Sequence, residues 1–92
     1  MDAAIEGHLA AGRHARAFDL IVPEFRNRVF RLAFSILKDR AAAEDAAQET
    51  LVRVWKALSG FDGRAALGTW IYAITRNTCL MELRKRRQEA FV

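Results

Sequence analysis

Three stretches of this sequence combine side chains that could do chemistry, and in each the chemistry is binding rather than bond-making. Glu44-Asp45-Ala46-Ala47-Gln48-Glu49-Thr50 sets three carboxylates and one amide within two helical turns. Negative charge in the first half of a helix is favoured by the macrodipole, so a solvated face explains the carboxylates. A face that docks on a basic partner explains them too, with Gln48 giving directional hydrogen bonds beside charges that steer the encounter. Spacing alone does not choose between these. Phe61, Arg64, Trp70, Tyr72, Arg76 and Asn77 form an aromatic and basic cluster within 17 residues. Phe61 and Trp70 suit a core. Single-stranded nucleic acid, however, is held by rings that stack on bases, cations on phosphates and polar groups that read base edges, and all three kinds occur here. The third stretch, Arg84-Lys85-Arg86-Arg87, stabilises a helix C-terminus through the dipole or contacts phosphates. Contact with duplex phosphates predicts a salt slope of about −0.9 per phosphate neutralised.

Catalysis finds no footing. His8 and His14 lack a nearby nucleophile or ligand set and are expected at the surface, and no phosphate-binding glycine loop, G-x-S-x-G or H-E-x-x-H pattern occurs. No catalytic residue, metal site or cofactor is expected. Cys79 is the single cysteine, which excludes an internal disulfide or a multi-cysteine zinc cluster; it is expected to be a buried structural thiol in a reducing cytoplasm. No apolar run approaches the ~20 residues needed to span a bilayer, and Asp2 and Glu6 precede any basic residue, so no membrane insertion and no signal peptide are expected.

The net charge of +4 is unevenly placed. Residues 1–62 hold nine cations and nine anions, whereas residues 63–92 hold Arg64, Arg76, Arg84, Lys85, Arg86 and Arg87 against only Glu82 and Glu89. The whole excess therefore lies toward the C-terminal end, where a polyanion is the first partner to suspect, nucleic acid before membrane.

These side chains must be positioned by helices. With 92 residues, 52% hydrophobic residues, five glycines and one proline, the composition fits one small all-α domain. From Ala15 to Leu37, the residues Phe18, Ile21, Val22, Phe25, Val29, Leu32, Ala33 and Ile36 recur at three- and four-residue steps. Phe30, Phe34 and Leu37 add a second apolar strip, so this helix packs on more than one neighbour. Pro23 predicts a kink or short break near Ile21 and Val22. Asp39 is expected to cap a second helix over about Arg40 to Leu58, its inner face Ala47, Leu51, Val54, Trp55 and Leu58. Residues 60–68 read as a glycine-bearing loop that lets an extruded base approach closely. Thr69 is expected to cap a third long helix to about Gln88, with Trp70, Ile71, Ile74 and Met81 inward. A short helix from Ala3 to Ala11, ended by Gly12, precedes the rest. The expected organisation is one domain over 1–92, with a short N-terminal helix in 1–13 and a three-helix core in 14–88.

Taken together, residues 14–88 resemble region 2 of bacterial sigma factors of the extracytoplasmic-function (ECF) group. The resemblance rests on Ala43-Glu44-Asp45-Ala46-Ala47-Gln48-Glu49-Thr50-Leu51-Val52-Arg53-Val54-Trp55, similar to the group's A-E-D-x-x-Q-E-T-hydrophobic-x-x-x-W pattern. Phe61, Trp70-Ile71-Tyr72-Ala73-Ile74-Thr75-Arg76-Asn77 and the basic end Leu83-Arg84-Lys85-Arg86-Arg87 resemble the blocks that follow. The resemblance implies that Asp45, Gln48 and Glu49, with Glu44 and Arg53, dock on the β′ clamp helices of the RNA polymerase core. It implies a pocket for a base flipped from the single-stranded non-template −10 promoter DNA, formed by Phe61, Asp62, Gly63, Arg64 and Ala66. Arg76 and Asn77 would read or position neighbouring nucleotides, Trp70 and Tyr72 would support the pocket or fork junction, and Thr69, Arg84, Lys85, Arg86 and Arg87 complete the DNA-facing set. An anti-sigma factor is a further implied partner. Met81 stands where the family usually has an acidic residue, so a local polar contact is expected to be missing, and nothing after Arg87 could supply the family's region 4. The rival readings are a module that binds an anti-sigma or adaptor protein without touching DNA, and a small hydrolase or nuclease, for which no residue set is found.

Overall fold

Ala17, Ile21, Phe25, Val29, Ala33 and Leu37 are all buried and recur every fourth residue. At 3.6 residues per turn, each four-residue step drifts about 40° around the helix, so the buried strip winds round it rather than running straight. One helix can then serve several neighbours in succession. The structure, a computed structural model describing residues 3–90, is built on that principle. It comprises α1 (Ala3–Ala10), α2 (His14–Leu37), α3 (Arg40–Ala57) and α4 (Leu67–Ala90), with a 3₁₀ turn, Leu58–Gly60, closing α3. The described residues contain no strand, as an all-α domain requires. α2 packs against α1, α3 and α4, and α3 packs against α4.

The winding strip yields two core clusters. Toward its N-terminal half, Ala17, Ile21, Phe25 and Val29 meet Ile5, Ala47, Val54, Leu58, Leu67 and Ile71. At its C-terminal end, Ala33 and Leu37 meet Ala43, Ala46 and Cys79. The second apolar strip is only partly used: Leu37 is buried, Phe30 half-buried and Phe34 exposed.

Four expectations need correction. Of the kink or short break expected at Pro23, the break does not occur: α2 is one continuous helix. Asp19 and Pro23 both lie on its exposed side, so water can satisfy the carbonyl that loses its donor. Trp55 and Met81, expected inside, are 45% and 46% exposed. The places nearer the core go to small residues: Ala43, Ala46, Ala47 and Thr50 on α3, and Thr75, Thr78 and Cys79 on α4. Their hydroxyls are satisfied within their own helices, Thr50 to Ala46 O at 2.7 Å, Thr75 to Ile71 O at 2.8 Å and Thr78 to Ile74 O at 2.8 Å. Threonine so bonded is a volume-filling core residue. α4 begins at Leu67, two residues before Thr69, because fully buried Leu67 pins its first turn to the core; Thr69 is exposed inside that turn. His8 and His14, expected at the surface, are half-buried, and His8 Nδ1 accepts from Arg13 Nε at 2.9 Å.

The α2–α3 turn needs only two residues. Lys38 adopts a left-handed φ of 58°, and its N–H donates to Phe34 O at 2.8 Å. Asp39 is extended, and its Oδ1 accepts from Ala42 N–H at 3.1 Å, the expected cap. Asp39→Ala is expected to lower stability by about 1 kcal/mol, measured by urea unfolding.

Candidate functional site

The outer face of α3 exposes Glu44, Asp45, Gln48 and Glu49. Two of these carboxylates hold local ion pairs, Glu44 with Arg40 at 3.2 Å and Glu49 with Arg53 at 3.0 Å. Such i,i+4 surface pairs contribute a few tenths of a kcal/mol, so a partner can break them at little cost. The Asp45 and Gln48 side chains have no hydrogen-bond or ion-pair partner among the described residues. The sequence reading missed what lies beside them: Val52, 44% exposed, and Trp55. Gln48, Val52 and Trp55 stand four and seven residues apart, one side of a helix. Trp55 leans on Phe18 of α2, ring centroids 5.3 Å apart. The face is therefore anionic with an apolar, aromatic portion, and plotting all positions of α3 around the helix would have found it.

The loop after α3 is organised by its own side chains. Asp62 Oδ1 accepts from Arg64 N–H at 3.0 Å, an Asx-type turn, while Asp62 Oδ2 pairs with Arg64 Nε at 3.0 Å. Gly63 sits at φ 78°, in the left-handed region that favours glycine. Phe61 and Trp70 are half-buried, their rings 4.9 Å apart and tilted by 49°, and both pack against the main core cluster. Residues Phe61 to Ala66 line one side of a cavity of about 500 Å³.

α4 divides the rest of the aromatic and basic cluster. Asn77 is exposed and lies seven residues, about two turns, from Trp70, on the same side of the helix. Tyr72 is about 200° round from Trp70. It borders a shallow groove with Arg28, Arg31 and Leu32 of α2, and Arg76, one turn further along α4, is exposed on that flank. The structure thus brings Phe61, Trp70 and the Asn77 side together but sets Tyr72 apart from them.

Residues 21–89 match the Sigma-70 region 2 family. The chain belongs to that family. The ECF resemblance holds as well, in relatives that bear the name. The chain is 54% identical over 46 residues to the ECF RNA polymerase sigma factor SigG of Mycobacterium tuberculosis, covering 50% of this chain and 12% of the relative. It is 38% identical over 63 residues to the RNA polymerase sigma-H factor of Pseudomonas aeruginosa, covering 68% of this chain and 33% of the relative. With the ECF sigma factor SigW of Bacillus subtilis the identity is 29% over 76 residues, 83% of this chain and 41% of the relative. The matched segments thus span well under half the length of these relatives.

In this sigma region 2 domain the basic end of α4 is not one surface. Four consecutive helical residues step round by about 100° each. Arg84, Lys85 and Arg87 are exposed and Arg86 is half-buried; of the four, Lys85 and Arg86 line a groove together with Asp39, Asp45 and Glu49 of the α3 side, and Arg86 pairs with Glu82 at 3.3 Å. Cys79 is buried among Ala33, Leu37, Ala43 and Ala46, and burial, aided by the charge of Glu82, raises its pKa and keeps it a neutral thiol. Among the described residues no group of three His, Cys, Asp or Glu side chains could hold a metal ion, and no helix is long and apolar enough to cross a membrane.

Met81 has its own partner. Arg53 Nη1 donates to Met81 Sδ at 3.6 Å across the α3–α4 groove. Sulfur is a weak acceptor, so the contact orients Arg53 without binding it strongly. Met81→Glu places a carboxylate within reach of Arg53 and is expected to raise stability by about 0.5 kcal/mol, an increment that shrinks with added salt in thermal melts.

Proposed function

We propose that this domain docks on the β′ clamp helices of RNA polymerase through the outer face of α3, and captures unpaired non-template bases of the promoter −10 element with the 61–66 loop and α4. The observation that carries the reading is the pairing of two unlike surfaces on one small scaffold: exposed Asp45 and Gln48 beside exposed Val52 and Trp55, and the half-buried rings of Phe61 and Trp70 on the side of α4 that exposes Asn77. The first suits a protein with basic groups and an apolar cleft. The second suits opened nucleic acid.

The energetics agree. Extruding a base costs a few kcal/mol, and each base stacked on an aromatic ring returns roughly 1–3 kcal/mol, so two or three captured nucleotides offset the unstacking. Docking on polymerase turns DNA capture into an intramolecular event at high effective concentration, so weak contacts by the domain suffice. Promoter melting then proceeds by binding energy, in the cytoplasm where polymerase works, and an anti-sigma factor that covers either surface would block it.

The test is a pair of titrations of the chain, one with RNA polymerase core and one with single-stranded −10 oligonucleotides. Gln48→Ala is expected to weaken the first alone and Trp70→Ala the second alone. If both variants behave as wild type in both titrations, the faces are wrongly assigned. Salt-insensitive, sequence-independent behaviour toward DNA would favour a module that binds an anti-sigma or adaptor protein without DNA contact.

A further inference from the structure

The family match begins at residue 21, so α1 lies outside it and its contribution has to be read from packing. Ile5 is fully buried in the main core, and Leu9 packs against the same cluster. The turn into α2 is closed by Arg13, whose N–H donates to His8 O at 2.8 Å and whose Nε donates to His8 Nδ1 at 2.9 Å. α1 is thereby held as a fixed wall. Its Glu6, Leu9 and Ala10, three and four residues apart, complete the cavity whose other side is the 61–66 loop. At about 500 Å³ the cavity falls within the ~300–1,000 Å³ of small-ligand pockets.

Two carboxylates line that cavity, and they are not equivalent. Asp62 is engaged by the backbone N–H and the guanidinium of Arg64. The Glu6 side chain has no hydrogen-bond or ion-pair partner among the described residues. A carboxylate accepts hydrogen bonds and cannot donate them. It therefore favours a base edge that carries an exocyclic amine over one that presents a carbonyl at the same place, as with the N4 amine of cytosine.

We infer that α1 forms part of the nucleobase pocket and that Glu6 selects a flipped base bearing an exocyclic amine. This rests on the base-capture reading above. The probes are fluorescein-labelled dodecamers of oligo(dC) and oligo(dU), which match in size and differ at the base in the C4 group, amine against carbonyl, and in N3, an acceptor in cytosine and an N–H donor in uracil. Binding to the intact chain is followed by anisotropy at neutral pH. Wild type is expected to bind oligo(dC) about fivefold or more tightly than oligo(dU), in keeping with base discrimination by one well-placed side chain. Glu6→Gln, which can donate to the uracil carbonyl, is expected to bring that ratio toward one. Taking the ratio cancels the general gain in DNA affinity from losing a negative charge, and Glu6 is exposed, so thermal melts of the two proteins should coincide. An unchanged ratio in Glu6→Gln, or no preference in wild type, overturns the assignment. Phe61→Ala separates this from the broader reading. If it weakens both oligonucleotides while Glu6→Gln leaves the ratio alone, base capture stands and the role of α1 falls. If Phe61→Ala alters neither, or wild type binds neither, both fall.

Discussion

Replacing Trp70 with alanine is expected to weaken binding of single-stranded −10 DNA about tenfold or more, because stacking on an aromatic ring is worth roughly 1–3 kcal/mol per base. Trp70 stands in the first turn of α4, its backbone N–H bonded to Ala66 O at 3.0 Å, and its ring meets Phe61 at 4.9 Å. The ring is thus presented from ordered backbone at the mouth of the loop. Because the indole carries no charge, its loss should leave the salt dependence of binding unaltered. Arg76→Ala should do the reverse, with a smaller loss of affinity and a salt slope reduced by about 0.7, one single-strand phosphate contact. Trp70 also packs on the core, so the alanine variant will be less stable as well. Trp70→Phe, which keeps a stacking face, is expected to recover most of the affinity. Anisotropy titrations at several salt concentrations, run where urea unfolding shows each variant folded, decide the matter; wild-type affinity in folded Trp70→Ala would remove Trp70 from the DNA site.

The helices were legible in the sequence because their apolar spacing is unambiguous where the residues are large. Ile21, Phe25 and Val29 announce α2, and Asp39 followed by three alanines announces the start of α3, where the structure has its cap. The α3–α4 contact was misread for the complementary reason. Besides Val54, Leu67 and Ile71, its buried residues include Ala43, Ala46, Ala47 and Cys79, which carry little signal in a hydrophobicity pattern, while the large residues nearby, Trp55 and Met81, drew the inward assignment and are exposed. Small residues let two helices approach closely, and a buried threonine that returns its hydroxyl to its own helix costs little. No break occurs at Pro23 because a proline on the solvent side of a long, well-packed helix forfeits one hydrogen bond that water can replace.

The candidate site was legible as a set of residues and less so as an arrangement. The exposure of Asp45, Gln48 and Glu49 follows from their spacing on α3. That Tyr72 lies about 200° from Trp70 also follows from helix geometry, yet their closeness in sequence invited treating them as one cluster. What no periodicity could supply is the approach of α1 to the 61–66 loop. That is a tertiary contact between segments more than fifty residues apart, fixed by the burial of Ile5 and Leu67 in one core.

The second large effect concerns the α3 face. Trp55→Ala is expected to weaken binding to RNA polymerase core by about 30-fold, the 2 kcal/mol or more at which a truncated interface residue counts as a hot spot, a class enriched in tryptophan. The expectation comes from the position of the ring. Holding a tryptophan nearly half exposed, next to exposed Val52 and flanked by Gln48 and Asp45, gains the isolated domain little, whereas covering that surface in a complex removes apolar area from water. The neighbouring charges should act differently: Asp45→Lys is expected to slow association and change its salt dependence more than it changes dissociation. Because Trp55 also touches Phe18, its loss should lower stability, by about 0.5–1.5 kcal/mol for the aromatic pair beyond the apolar area it buries. Val52→Glu avoids that complication, since Val52 is exposed and belongs to neither core cluster. It should weaken polymerase binding without lowering the melting temperature, and neither variant should change affinity for single-stranded DNA. Kinetic measurements against immobilised core polymerase separate these outcomes, and wild-type dissociation rates in both variants would move the docking surface off α3.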